Sequence, residues 1–213
     1  MSSTSASSRT PGPKFIFVGE HPAVDFANTL SNPHGQLEDL LRTWPDLVYW
    51  FSKAGLSKDP SLNLSVSRGV EALKSVSNLR HAWKALLAQL IAGGKVSDEF
   101  LESLNSLLEE DNFHDTVQRD SKKGFQLVRS ASHLHGEKLA LAILARQIAS
   151  FLVEANLNYL HRCANTTTCT LYFYDTTKNH RRRWCSVSAC GNRHKVAAFR
   201  ERQVNGARRM PSN

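Results

Sequence analysis

Four cysteines are the residues of this 213-residue chain best suited to chemistry, and they are unevenly placed. They run Cys163-x5-Cys169, then fifteen residues, then Cys185-x4-Cys190. Two close pairs separated by an aromatic, β-branched stretch is the arithmetic of a zinc site, each pair supplying two soft ligands from one turn. Two disulfides would use the same cysteines. The first thirteen residues, rich in Ser, Thr, Pro and Gly, lack the apolar core of a secretory signal, so a reducing, cytoplasmic setting is expected and metal is favoured over disulfides. Size points the same way. A unit of some 45 residues seldom holds together by burial alone, whereas a structural zinc contributes roughly 10–16 kcal/mol of apparent binding free energy.

The second chemical signal is charge. The net charge is +8, but its distribution matters more. From His161 to Asn213 there are eleven Lys and Arg against Asp175 and Glu201, while the preceding 160 residues hold sixteen bases and seventeen acids. A neutral body followed by a basic, cysteine-bearing tail is the electrostatic footprint of a partner that is a polyanion. Arg181, Arg182 and Arg183 are consecutive, and strand alternation sends Arg181 and Arg183 to one face and Arg182 to the other, one of the three being expected to pair with Asp175. In a helix following Cys190, Arg193 falls beside Arg200, and Lys195 beside Arg202, with Val196 and Phe199 between the two stripes. If those two apolar residues face the finger's core, the stripes flank it. Phosphate contact is the natural role for these bases, and Asn192 or Arg193 has the chemistry for base readout.

These groups need elements to hold them. Lys14–Val18 reads as a strand and 22–30 as a helix with Pro22 in its first turn. Thr43-Trp44-Pro45-Asp46 starts a second helix, stopped by Gly55. Apolar residues from Val66 through Val70, Leu73, Val76, Leu79 and Trp83 to Leu90 predict a long helix over 66–92, ended by Gly93-Gly94. Ser97 caps a fourth helix. His114–Arg119 and Gly124–Ser130 predict a hairpin around Ser-Lys-Lys-Gly, and 137–160 a last helix, apolar on most sides and therefore central. In the tail, 170–175 and 181–185 predict a hairpin and 192 onward a helix, a treble-clef-like outline. The expected organisation is a flexible arm 1–13, a mainly α body 14–160 with a small β element, a zinc-binding domain 161–204 and a flexible tail 205–213.

Arg162-Cys163-Ala164-Asn165, Cys169, Phe173-x-Asp175, Arg182-Arg183-Trp184-Cys185-Ser186 and Cys190-Gly191-Asn192-Arg193-x-Lys195-Val196 closely resemble the CGNR zinc-finger family. Val24-Asp25-Phe26-Ala27-Asn28-Thr29 resembles the signature of the ABATE domain, which precedes that finger in the same proteins. The resemblance implies zinc at Cys163, Cys169, Cys185 and Cys190. It also implies a bacterial stress-induced transcriptional regulator whose finger binds DNA. Thr166 stands where the family often has Pro and Ala27 where it prefers Val, and neither change removes a ligand.

Other readings bound the expectation. The same charge would serve an RNA- or ribosome-binding adaptor, or a zinc-stabilised module meeting an acidic protein. Asp25, Asn28 and Thr29 share one helix face, where they either line a pocket for a small-molecule effector or form a capping and core hydrogen-bond network. The body is a candidate for homodimerisation. His161, His180 and His194 are expected at the surface, four cysteines already completing a closed site, and His133-x-His135 lacks a third ligand. Ala92-Gly93-Gly94-Lys95-Val96 lacks the first Gly and the Ser/Thr of a phosphate loop, and there is no Rossmann, H-E-x-x-H or G-x-S-x-G pattern, so no enzyme is expected. No apolar run is long enough to span a membrane, and 41% hydrophobic with 22% charged residues excludes a disordered or collagen-like chain.

Overall fold

A computed structural model describes residues 13–32, 36–110, 115–120, 124–129 and 134–207. Residues 13–18 carry no ladder, and at their end the amides of Val18 and Gly19 donate to Asp25 Oδ1 at 3.0 and 2.8 Å. The strand expected there is instead an irregular strap, with Ile16 and Val18 packed against the cysteine cluster. Helix α1, Pro22–Asn28, follows, and all of its residues after Pro22 are buried. Gly19 permits this entry, since a Cβ there would sit 2.8 Å from Asp25 Oδ1 and 2.9 Å from Val24 Cβ. A short hairpin, β1 Leu30–Ser31 with β2 Glu38–Asp39, leads to α2, Trp44–Lys53, where Thr43 and Asp46 form a reciprocal capping box.

Helix α3, Val66–Ile91, has the expected period but a shifted face. Gly69, Ala72, Val76, Arg80, Trp83 and Leu87 are buried, while Val66 and Val70 are 88% and 57% exposed. The cause is Trp44, whose Cβ lies so close that a Cβ on Gly69 would come within 2.7 Å of it, so only small residues fit the first two turns. Helix α4, Asp98–Glu109, is capped by Ser97. Strands β3, Asp115–Asp120, and β4, Gly124–Arg129, form the expected hairpin, which leaves Val117 and Phe125 exposed.

Helix α5, Gly136–Glu154, packs against α1, α3 and α4 and is the centre of the body. It stops six residues earlier than its hydrophobicity suggests. Asn156 Oδ1 accepts the Asn158 amide to start a 3₁₀ turn, Leu157–Tyr159, and Leu160 begins strand β5. Leu160 stays in the same core as the helix, which is why the apolar pattern reads as unbroken. The body is mainly helical, and among the described residues no helix is long and apolar enough to cross a membrane. His133 lies outside the described residues, as do the ends of the arm and tail.

Candidate metal centre and basic face

The finger is built from a different hairpin than 170–175 with 181–185. Strand β5, Leu160–Arg162, pairs antiparallel with β6, Tyr172–Tyr174, in the register His161 with Phe173. Residues 181–183 lie outside the ladder and the chain bends at 184–185, the segment being tied in by Ala164 N–H donating to Arg183 O at 2.8 Å. The hairpin choice is what makes a knuckle. It brings Cys163 and Cys169 together just beyond the paired ends, with the Cys163 amide donating to Leu171 O at 2.9 Å. The second pair is set by a π-type turn, Val187–Gly191. Ser186 caps it by accepting the Ala189 amide, and helix α6, Asn192–Ala207, follows directly after Cys190 and Gly191.

The result is one cluster. All four Sγ atoms lie within 4.8 Å of one another and all four cysteines are buried. Cys169 and Cys185 are 3.7 Å apart at sulfur, Cys185 and Cys190 3.6 Å. A tetrahedron with metal–sulfur bonds of about 2.3 Å has edges of about 3.8 Å, so the donor set fits a Zn²⁺-sized ion. No disulfide joins them. The thiols also perturb one another. Hydrogen bonds from Cys169 and Cys185 favour the Cys163 thiolate and lower its pKa, whereas hydrogen bonding to Cys163 raises Cys169 and Cys185, with burial adding to both. Leu171 and Phe173 form the floor, with Ile16, Val18 and Trp184 packed on it.

The cysteine cluster is fastened to the body by polar contacts of long reach. Asn28 Nδ2 donates to Tyr172 O at 2.8 Å and the Tyr172 amide donates to Asn28 Oδ1 at 2.9 Å. Asn32 N–H donates to Thr170 Oγ1 at 2.9 Å. Lys84 donates to the carbonyls of Ala27 and Leu30 beside the Tyr172 ring. Burial, with Arg80 and Arg162 nearby, brings the Lys84 pKa down to about 8. Arg182 is the most connected. Its guanidinium reaches Glu20 at 2.8 Å, Val18 O at 3.2 Å, Trp184 O at 3.1 Å and Cys185 O at 2.5 Å, and covers the Phe173 ring.

The candidate polyanion contacts thus fall into groups. Arg181 and Arg183 are exposed, with Arg183 over the Trp184 ring, while Arg182, expected among the phosphate contacts, turns inward and is spent on the contacts just described. Asp175 is met by the Arg182 backbone amide at 2.8 Å and by Thr177, in place of the expected guanidinium pair. Asn192, Arg193, Lys195 and Arg200 are all exposed on α6. Val196 and Phe199 are exposed too, at 49% and 56%, so they do not face the finger's core. His180 stacks on Tyr159, His161 lies against Phe173, and His194 is exposed near Trp184.

Asp25, Asn28 and Thr29 are buried and spent on structure. Asp25 holds the strap, Asn28 holds β6, and Thr29 Oγ1 donates to Phe26 O and accepts from Arg80. Burial raises the Asp25 pKa to about 6, against the two backbone amides that lower it. Sequence reasoning missed Arg80. It is fully buried, makes a bidentate pair with Asp39 at 2.7 and 2.5 Å, and so fixes the β1–β2 hairpin on α3. An arginine inside an otherwise apolar helical stripe was the available signal.

A helical body followed by a knuckle, a short hairpin and a helix around four cysteines defines a two-part zinc-finger architecture. The profile of the ABATE family (Putative stress-induced transcription regulator) matches residues 20–155, and that of the CGNR zinc finger matches residues 159–203. The first match alone spans more than half of the chain, and the chain belongs to the ABATE family with a CGNR zinc finger behind that domain. Both are regulatory, non-catalytic domains. Among curated proteins, none matches the chain.

Proposed function

We propose that this chain is a zinc-dependent, DNA-binding transcriptional regulator acting in the cytoplasm. Cys163, Cys169, Cys185 and Cys190 hold one Zn²⁺, whose charge satisfies the buried thiolates and fixes the start of α6. The ion is structural: four cysteines leave it no open coordination position. The observation that carries the DNA reading is the basic surface beside the cluster. Arg181 and Arg183 are exposed on the segment before Cys185, and Arg193, Lys195 and Arg200 on the helix after Cys190, and in the sequence no other segment holds such an excess of positive charge. The neutral body is the natural place for sensing or for dimer formation.

The test is fluorescence anisotropy of the full, zinc-loaded chain with duplex DNA across a salt series. With about five phosphate contacts, log affinity falls against log salt with a slope of roughly −4.5. Arg181→Ala with Arg183→Ala flattens that slope by about two units. Chelation of the metal removes the binding. No binding to DNA at low salt, alongside tight binding to RNA or to an acidic protein, would transfer the assignment to those partners.

A further inference from the structure

Helix α6 is not merely a basic segment; its two sides differ in a way that points to one mode of contact. Sixteen residues make a rod about 24 Å long. Its inner side is identified by His194, whose ring lies 5.8 Å from that of Trp184, and by Ala198, which is half-buried where its neighbours are exposed. Projected at 3.6 residues per turn, His194, Ala198, Ala197 and the acidic Glu201 share that side, of which Ala198 is half-buried and the other three are exposed. The outer side carries everything else. Arg193 and Arg200 form one edge, Lys195 and Arg202 the other, about 160° away. Asn192, Val196, Phe199 and Gln203 fill the band between them, all exposed.

Resting on the DNA-binding reading above, we infer that α6 lies in the DNA major groove, its two cationic edges on the phosphates of opposite strands and Val196, Phe199 and Gln203 against the base edges. A helix with its side chains is about 10–12 Å across, and the B-form major groove is about 12 Å wide. Two basic edges suit a groove bounded by two anionic backbones. A second copy of α6 would meet this helix with like charge along both edges, so a self-complementary contact is disfavoured. An A-form RNA duplex is also a poor fit, because its major groove is too deep and narrow. The central band sets the preference: Val196 and Phe199 are apolar partners for the thymine methyl, a group that only the major groove presents, and Gln203 has the paired donor and acceptor that adenine offers there.

The experiment uses the full zinc-loaded chain and a duplex selected from a random pool, then resynthesised with deoxyuridine for thymine. Burying one methyl is worth about 0.8 kcal/mol, so each contacted methyl lost weakens wild-type binding about four-fold. Phe199→Ala and Val196→Ala, both at exposed positions, keep the zinc and the salt slope but discriminate less between the two duplexes. Lys195→Ala with Arg202→Ala keeps the discrimination and flattens the slope by about 1.8. A selected site without thymine, equal wild-type affinity for the deoxyuridine duplex or for an RNA duplex of that sequence, or α6 variants that behave as wild type would overturn the groove assignment. In the last case a flatter salt slope in the Arg181 and Arg183 variant would leave the DNA-binding function standing. No DNA binding by the wild type would end both.

Discussion

Asn28 offers the sharpest perturbation, because one side chain in the body imitates a strand partner for the finger. Its amide satisfies both the N–H and the C=O of Tyr172, and it is buried with only 1% of its surface exposed. Asn28→Ala removes both partners and leaves a donor and an acceptor of β6 without water. Each orphaned group costs about 1–3 kcal/mol, and partial relaxation puts the sum at about 2–4 kcal/mol. For a chain of this size that is a fall in melting temperature of roughly 5–15 °C. Urea titration followed by tryptophan fluorescence measures it as a lower midpoint at unchanged slope. Because Tyr172 belongs to the core of the body and to the hairpin that carries Cys163 and Cys169, zinc affinity falls in the same variant. Asn28→Asp supplies a control whose stability depends on pH. Its carboxylate accepts from the Tyr172 amide but repels the Tyr172 carbonyl, whereas the protonated acid donates to it. The folded-state pKa of that Asp is therefore raised, and the variant regains stability as pH falls. A shift below about 0.5 kcal/mol in Asn28→Ala, with zinc affinity intact, would refute the clamp.

Three further outcomes follow from the same geometry. Asp25 has a folded pKa of about 6 against 3.8 unfolded, so the folded state binds more protons between those values and its contribution to stability is lost as pH rises through them, by about 3 kcal/mol in all. Asp25→Asn keeps the acceptor for Val18 and Gly19 and removes that slope, which denaturation midpoints at pH 4.5 and 7 will show. Asp39→Ala strands the buried Arg80 guanidinium and costs about 3 kcal/mol, whereas adding Arg80→Met restores most of it, a comparison that a thermal melt of the single and double variants decides. Cys185→Ser takes the zinc content from one per chain to near zero and opens 161–203 to protease, as read by metal analysis and limited proteolysis. Full zinc content in that variant would remove Cys185 from the ligand set.

The four clustered cysteines, the basic tail and most of the helices were legible in the sequence because each is a local pattern. Thr43 with Asp46, Ser97 before α4 and the period of α3 concern residues within a turn or two of each other. That Arg182 faces away from Arg181 and Arg183 was also legible, since alternation along a chain is local, but that it turns inward and so leaves the set of expected phosphate contacts was not. Nothing near Arg182 in sequence announces Glu20 and Val18, and nothing near Asn28 announces Tyr172, 144 positions away. Tertiary structure decided that β6 pairs with β5, because that register brings Cys163 beside Cys169 and still leaves Leu160 and Tyr172 for the core of the body. It decided that α3 buries Gly69 and Ala72 in place of Val66 and Val70, because Trp44 needs room. It also turned Val196 and Phe199 outward, because Leu171, Phe173 and Trp184 had already filled the finger's small interior. Periodicity reports which residues of an element lie on one side. Which side is buried depends on the shapes and unpaired polar groups of the elements packed against it, and those come from elsewhere in the chain.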